Sequence, residues 1–166
     1  MNHRAFTIVE ILIVVVLLAI AGMMAVPMMS SAASIQIGSA ANMIAADLEY
    51  AKSMAISRGQ YYSVVFDSAT ETYRIKDQNG SVIPHPVKKG FDYVVDFRND
   101  HRLNRVDIVD ANFDSTNEVK FDYLGSPYNG NPTPTPLNSG VVRLQAAGIS
   151  KTIRVEPVTG YISIGN

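Results

Sequence analysis

The sequence predicts an α+β protein: one long N-terminal helix packed on a β-rich antiparallel head. Three observations lead there. A run of mostly apolar, uncharged residues extends from Ile11 to Met29. An amphipathic helical pattern follows as far as Arg58-Gly59. From Tyr61 onward, short β-branched and aromatic segments alternate with turn residues.

The first element is the apolar run. At about 19 residues it is long enough to span a bilayer as a helix. Arg4 precedes it and no basic residue follows until Lys52, which orients the N-terminus toward the cytoplasm. A cleaved secretory signal is an alternative reading, with Ala19-Ile20-Ala21 or Ser31-Ala32-Ala33 as small-x-small sites. Neither that reading nor a plain anchor accounts for Glu10. A carboxylate at membrane depth costs roughly 2.5–3.5 kcal/mol on insertion scales, so Glu10 calls for a partner of opposite charge. No further charge follows it until Asp47.

Gly22 and Pro27 interrupt the run. Proline inside a helix removes one hydrogen bond and clashes with the carbonyl four residues back, so a break or kink near Met23 is expected. Beyond it, Ile44, Leu48, Ala51 and Ala55 share one helical face. Asp47, Glu49, Lys52 and Ser53 are assigned to the other. Arg58-Gly59 reads as a basic last turn and a glycine stop.

The head follows. Tyr61–Asp67, Thr72–Lys76, Glu118–Tyr123, Val141–Ala146, Ser150–Val155 and Thr159–Ile164 read as strands, with weaker candidates at Val82-Ile83, Tyr93–Val95 and Val106–Val109. Asn79-Gly80 and Ala147-Gly148 are turns, the second closing a hairpin. One or two small sheets result, with the helix covering an apolar face. The segment 126–139 carries Pro127, Pro132, Pro134 and Pro136 and is expected to be an exposed, partly polyproline loop.

The chemistry of the head is sparse. With 15 acidic and 14 basic residues the chain has no global pull toward nucleic acid. Without cysteine it has no disulfide, thiol nucleophile or zinc thiolate site. No Gly-x-Ser-x-Gly elbow is present, and His85 lies between two prolines, so no catalytic set emerges and no enzyme is expected. The stretch 110–118 begins like a calcium loop but lacks glycine at its sixth position, so a solvated acidic turn is expected and no metal or cofactor is assigned. Lys88, Lys89, Arg98, His101, Arg102 and Arg105 form the one basic concentration, interleaved with Asp92, Asp96, Asp100 and Asp107.

Ala5-Phe6-Thr7-Ile8-Val9-Glu10 followed by Ile11-Leu12-Ile13-Val14-Val15 resembles the processing signal of type IV prepilins and type II secretion pseudopilins. The resemblance implies a leader over 1–5 and cleavage by a prepilin peptidase between Ala5 and Phe6. It further implies N-methylation of Phe6, and a Glu10 that neutralises the amino terminus of a neighbouring subunit in the assembled filament. Ala5 departs from the family's usual glycine.

The order of long helix, Leu48–Arg58 and a Val64-Val65-Phe66 strand is similar to H-type minor pseudopilins and FimT-like minor pilins, the GspH/FimT family. The close Ile153–Gly160 points the same way. The implied organisation is a transmembrane or filament-core helix over 6–29, its amphipathic continuation over 30–58, and a head over 60–166. The implied place is the bacterial inner membrane, single-pass, with the head in the periplasm or outside. Implied partners are the peptidase, other pilin-type subunits, the inner-membrane assembly platform and membrane lipid. Nucleic acid is not expected: DNA-uptake members carry a Gly-Arg-x-Arg motif where this chain reads Gly160-Tyr161-Ile162-Ser163. A DNA-binding minor pilin and an unrelated membrane-anchored β-domain remain the alternatives.

Overall fold

The computed structural model describes residues 7–165, with the backbone alone described for 24–31. One helix, α1 (Ile8–Arg58), leads into nine strands: β1 (Tyr62–Asp67), β2 (Thr72–Lys76), β3 (Val94–Asp96), β4 (Asp107–Phe113), β5 (Glu118–Phe121), β6 (Pro127–Asn129), β7 (Gly140–Ala146), β8 (Ile149–Val155) and β9 (Ile162–Gly165). They form a five-stranded sheet in the order β3-β2-β1-β5-β6 and a four-stranded sheet in the order β4-β7-β8-β9. All pairings are antiparallel.

The ends of α1 are set by local chemistry. Thr7, in an extended conformation, is the N-cap, and its hydroxyl oxygen accepts from the Glu10 N–H at 3.2 Å. At the other end Gly59 takes the left-handed conformation (φ 64°), and its N–H donates to the Ala55 carbonyl. At 1.5 Å per residue the 51-residue helix is about 77 Å long. Gly22 and Pro27 both lie inside this single helical span.

The C-terminal half of α1 is what the head is built on. Ala33, Ile37, Ala40, Ala41, Ile44, Leu48, Ala51 and Ala55 form one stripe, each no more than 2% exposed. Five of the eight are alanine, and small side chains let the helix axis approach the sheets closely. The stripe packs on β1 and β5 of the larger sheet and on β7, β8 and β9 of the smaller one, so α1 joins the two sheets. Aromatic rings complete the join. Phe66 of β1 lies 5.4 Å from Tyr73 of β2 and 5.9 Å from Phe113 of β4, centroid to centroid.

The turns follow their residues. Ala147 and Gly148 both have positive φ (47° and 80°), as the tight β7–β8 hairpin requires. Asp77 accepts from the Asn79 and Ser81 N–H groups and so shapes the turn at Gly80.

Two expectations are corrected in part here. The proline-rich segment 126–139 is a mostly exposed loop over 130–139, but not throughout. Pro127 opens β6, where its missing N–H is tolerated on an edge strand, and Leu137 is buried. Asn129, itself buried, ties the segment to Thr135. The acidic stretch 110–118 does turn in solvent over 114–117, but it begins inside β4 and ends in β5.

Candidate assembly surface

Among the described side chains of α1, Ala33 is the first that is buried, and those from Ile8 to Met23 are exposed. From Ile8 to Met23 every large apolar side chain is exposed, between 47% at Val16 and 85% at Ile8. An uncovered apolar surface of this extent marks a membrane or protein contact. Glu10 is exposed within the first turn, where a negative charge suits the positive end of the helix dipole. Among the described residues no helix is long and apolar enough to cross a membrane. The run read from the sequence passes Met23 into 24–29, whose side chains are not described. Ala5, Phe6 and the leader lie outside the described residues.

The basic residues do not build a cationic face. Arg102 makes a forked contact with Asp100 (2.6 and 3.0 Å), which pulls the Asp100 carboxyl down to about 2. Arg98 lies 3.5 Å from buried Glu71. A cleft of about 710 Å³ opens beside them, and its lining mixes Lys88, His101 and Arg102 with Asp47, Asp96 and Asp100. Alternating signs cancel at short range, so the cleft has no field to draw phosphate. At the close of the chain, Gly160 offers its carbonyl to Lys52 of α1 at 2.9 Å, and no arginine stands beside it.

Acidic groups near the supposed calcium loop are engaged elsewhere. Asp114 accepts from the Asn138 and Ser139 N–H groups, and Asp110 pairs with Arg143 at 2.8 Å. Among the described residues no cluster of three or more His, Cys, Asp or Glu is placed to hold a metal ion.

One polar constellation escaped the sequence reading. Asp47, assigned there to the solvent face of the helix, is buried. The Tyr73 hydroxyl donates to its Oδ2 at 2.6 Å and the Tyr93 hydroxyl to its Oδ1 at 2.7 Å. Burial raises the Asp47 carboxyl above its ordinary value, and the two phenol contacts oppose that rise. His85 stacks on Tyr93 at 4.6 Å and accepts two backbone N–H groups at Nδ1. Tyr50 stacks on the same ring at 5.7 Å. The available signal was spacing: Asp47 follows Ile44 by three and precedes Ala51 by four, on the buried stripe. Glu71 was missed as well. It is buried with φ 55°, and its carboxylate accepts from the Ile108 N–H where β4 bulges.

Comparison with known proteins places this arrangement. The family described as "Type II transport protein GspH" matches residues 40–159, which is most of the chain. Among curated proteins no sequence relative matches. The minor pseudopilin EpsH from the Type 2 Secretion System of Vibrio cholerae is similar in fold. It is 10% identical with a TM-score of 0.52, over 78% of this chain and 96% of that one. The type IV minor pilin FimU of Pseudomonas aeruginosa is 15% identical with a TM-score of 0.48, over 78% of this chain and 92% of that one. With its long helix laid across two antiparallel sheets and the family match spanning residues 40–159, the chain belongs to the GspH family.

Proposed function

We propose that the chain is a minor pseudopilin or pilin subunit whose work is mechanical. Its N-terminal helix inserts in the inner membrane over 6–29. A prepilin peptidase cuts between Ala5 and Phe6 and methylates the new amino terminus of Phe6. An inner-membrane platform then moves the subunit into a filament with other pilin-type subunits, near the tip, in support of protein secretion. Membrane lipid surrounds the helix before assembly and neighbouring helices surround it afterward. Gly22 and Pro27 are the places where the helix gives as it packs.

The observation that supports this reading is the exposed apolar stretch of α1 from Ile8 to Met23, with a single carboxylate at its head. A buried carboxylate needs an opposite charge within hydrogen-bond reach. The amino terminus left by cleavage is four residues from Glu10, about 6 Å along a helix axis. A neighbour displaced axially by that distance brings its ammonium level with Glu10 and fixes the register between subunits.

Mass spectrometry of the mature chain tests this directly. The expected N-terminus is N-methylated Phe6. An N-terminus near Ala33, or an intact leader in cells with active prepilin peptidase, overturns it.

A further inference from the structure

The two sheets expose four strand edges, and three of them carry devices that discourage pairing. β3 is three residues long and ends in Asp96. β6 is three residues long, opens with Pro127, and is covered on its outer side by a bridge from Tyr128 to Pro136. β4 bulges between Ile108 and Asp110 and holds Asp107 and Asp110. Short length, proline, bulges and charge are the means by which proteins blunt open edges.

The fourth edge, β9, is also short but has none of the other devices. It reads Ile162-Ser163-Ile164-Gly165, with no charge, no proline and no bulge. Among the described residues no strand pairs with its outer side. The hydrogen-bond phase identifies what that side presents. The Glu156 N–H donates to the Tyr161 carbonyl at 2.8 Å, and the register pairs Arg154 with Ser163 and Thr152 with Gly165. In an antiparallel ladder the bonded pairs alternate, so Ser163 and Gly165 turn their backbone groups to β8. Ile162 and Ile164 therefore aim their N–H and C=O groups outward.

The surface beside this edge is apolar and uncovered. Tyr161 is 63% exposed and Val158 is 78% exposed. Val158 is also held at φ 65°, a left-handed conformation rare for a β-branched residue. Such strain, at a side chain left largely exposed, is a feature of contact sites.

From these observations we infer that the outer edge of β9 accepts an extended, uncharged segment of a neighbouring pilin-type subunit as a fifth strand of the smaller sheet. Main-chain groups of Ile162 and Ile164 bind it, and Tyr161 and Val158 flank it. The size of the contact decides what kind of neighbour this is. A four-residue edge with two flanking side chains falls far short of the roughly 1,200 Å² that a free-standing complex buries. The added strand must come from a subunit already held by other contacts, and α1 supplies them. The inference thus rests on the filament reading above.

The test uses the full chain, expressed with its sibling subunits. The sequence has no cysteine, so Ser163→Cys gives a unique attachment point for a benzophenone cross-linker on the solvent face of β9. The expected result is an adduct, in filaments, to another pilin-type subunit, with the cross-linked peptide mapping to an extended segment. Ile164→Pro removes only an outward N–H and leaves the β8–β9 ladder its donors. Ile164→Lys adds an edge charge without touching the backbone. Each is expected to lower the adduct at least tenfold while the chain still enters filaments. A labelled chain that enters filaments without an adduct, or an adduct that persists in both variants, overturns the inference alone. A processed chain that never enters filaments overturns the filament reading and the inference together.

Discussion

Replacing Asp47 tests how α1 is fastened to the head. Tyr73 is fully buried and Tyr93 is 6% exposed, and both donate their hydroxyls to this one carboxylate. Asp47→Ala leaves two buried hydroxyls without their acceptor, each worth about 1–3 kcal/mol. It also removes a carboxylate whose burial is itself unfavourable, as the raised carboxyl shows. The net expectation is a loss of about 2–4 kcal/mol. Asp47→Asn keeps one acceptor oxygen, fills the same volume and buries no charge, so its expected cost is about 0–1.5 kcal/mol. The assay is urea unfolding followed by the near-ultraviolet circular dichroism of tyrosine, which reports on packing in a chain without tryptophan. The pH dependence has a definite sign. A carboxyl raised in the folded state binds its proton more tightly there than when unfolded. Its favourable contribution is full below the ordinary value of 3.8 and is lost as pH rises through the folded value. The parent should therefore lose stability relative to Asp47→Asn as pH climbs through that window. An alanine variant as stable as the parent, or an asparagine variant worse than alanine, would refute the reasoning.

Glu10→Ala should insert in membranes at least as well as the parent, because the roughly 2.5–3.5 kcal/mol cost of the carboxylate disappears. Its recovery in filaments should fall, and equal recovery of variant and parent contradicts the pairing role. Gly160→Ala places a Cβ 2.7 Å from the Gly125 carbonyl oxygen at φ 59°. About 1–3 kcal/mol of destabilisation is expected in a denaturant titration, and a change below a few tenths argues against the close approach. Asp100 behaves oppositely to Asp47: with its carboxyl lowered to about 2, its contribution is present above 3.8 and is lost as pH falls through about 2. Arg102→Ala should flatten that acid limb only slightly, because the pair is solvent-screened.

Periodicity made the framework legible. The Ile44, Leu48, Ala51 and Ala55 spacing and the Gly59 stop gave the amphipathic half of α1, because an exposed apolar stripe has only one way to be buried. Alternation gave β2 residue for residue, and Ala147-Gly148 gave the β7–β8 hairpin. Composition misled where backbone bonding outweighed it. Four prolines argued for an exposed loop over all of 126–139, yet Pro127–Asn129 pairs with β5, Asn129 ties back to Thr135, and Leu137 is buried. Asp47 was placed in water because its type is polar. Its position on the buried stripe was in plain view, but its partners, Tyr73 and Tyr93, are 26 and 46 residues away. Local reading supplies no such pairing. Of the proposed site, Glu10 and the bare apolar helix were readable because they are local; the open edge of β9 became visible only once the order of strands was known.

The laying of one helix across both sheets bears on how a subunit resists load. If the filament holds the N-terminal half of α1, a pull reaches the head along the helix axis. The buried stripe from Ala33 to Ala55, and Asp47 within it, would then be sheared as a block rather than peeled one contact at a time. Rupture under such a pull follows the unfolding rate rather than the equilibrium stability. The helix and the head it carries thus behave as one stiff part, and any yielding falls to the exposed apolar stretch from Ile8 to Met23.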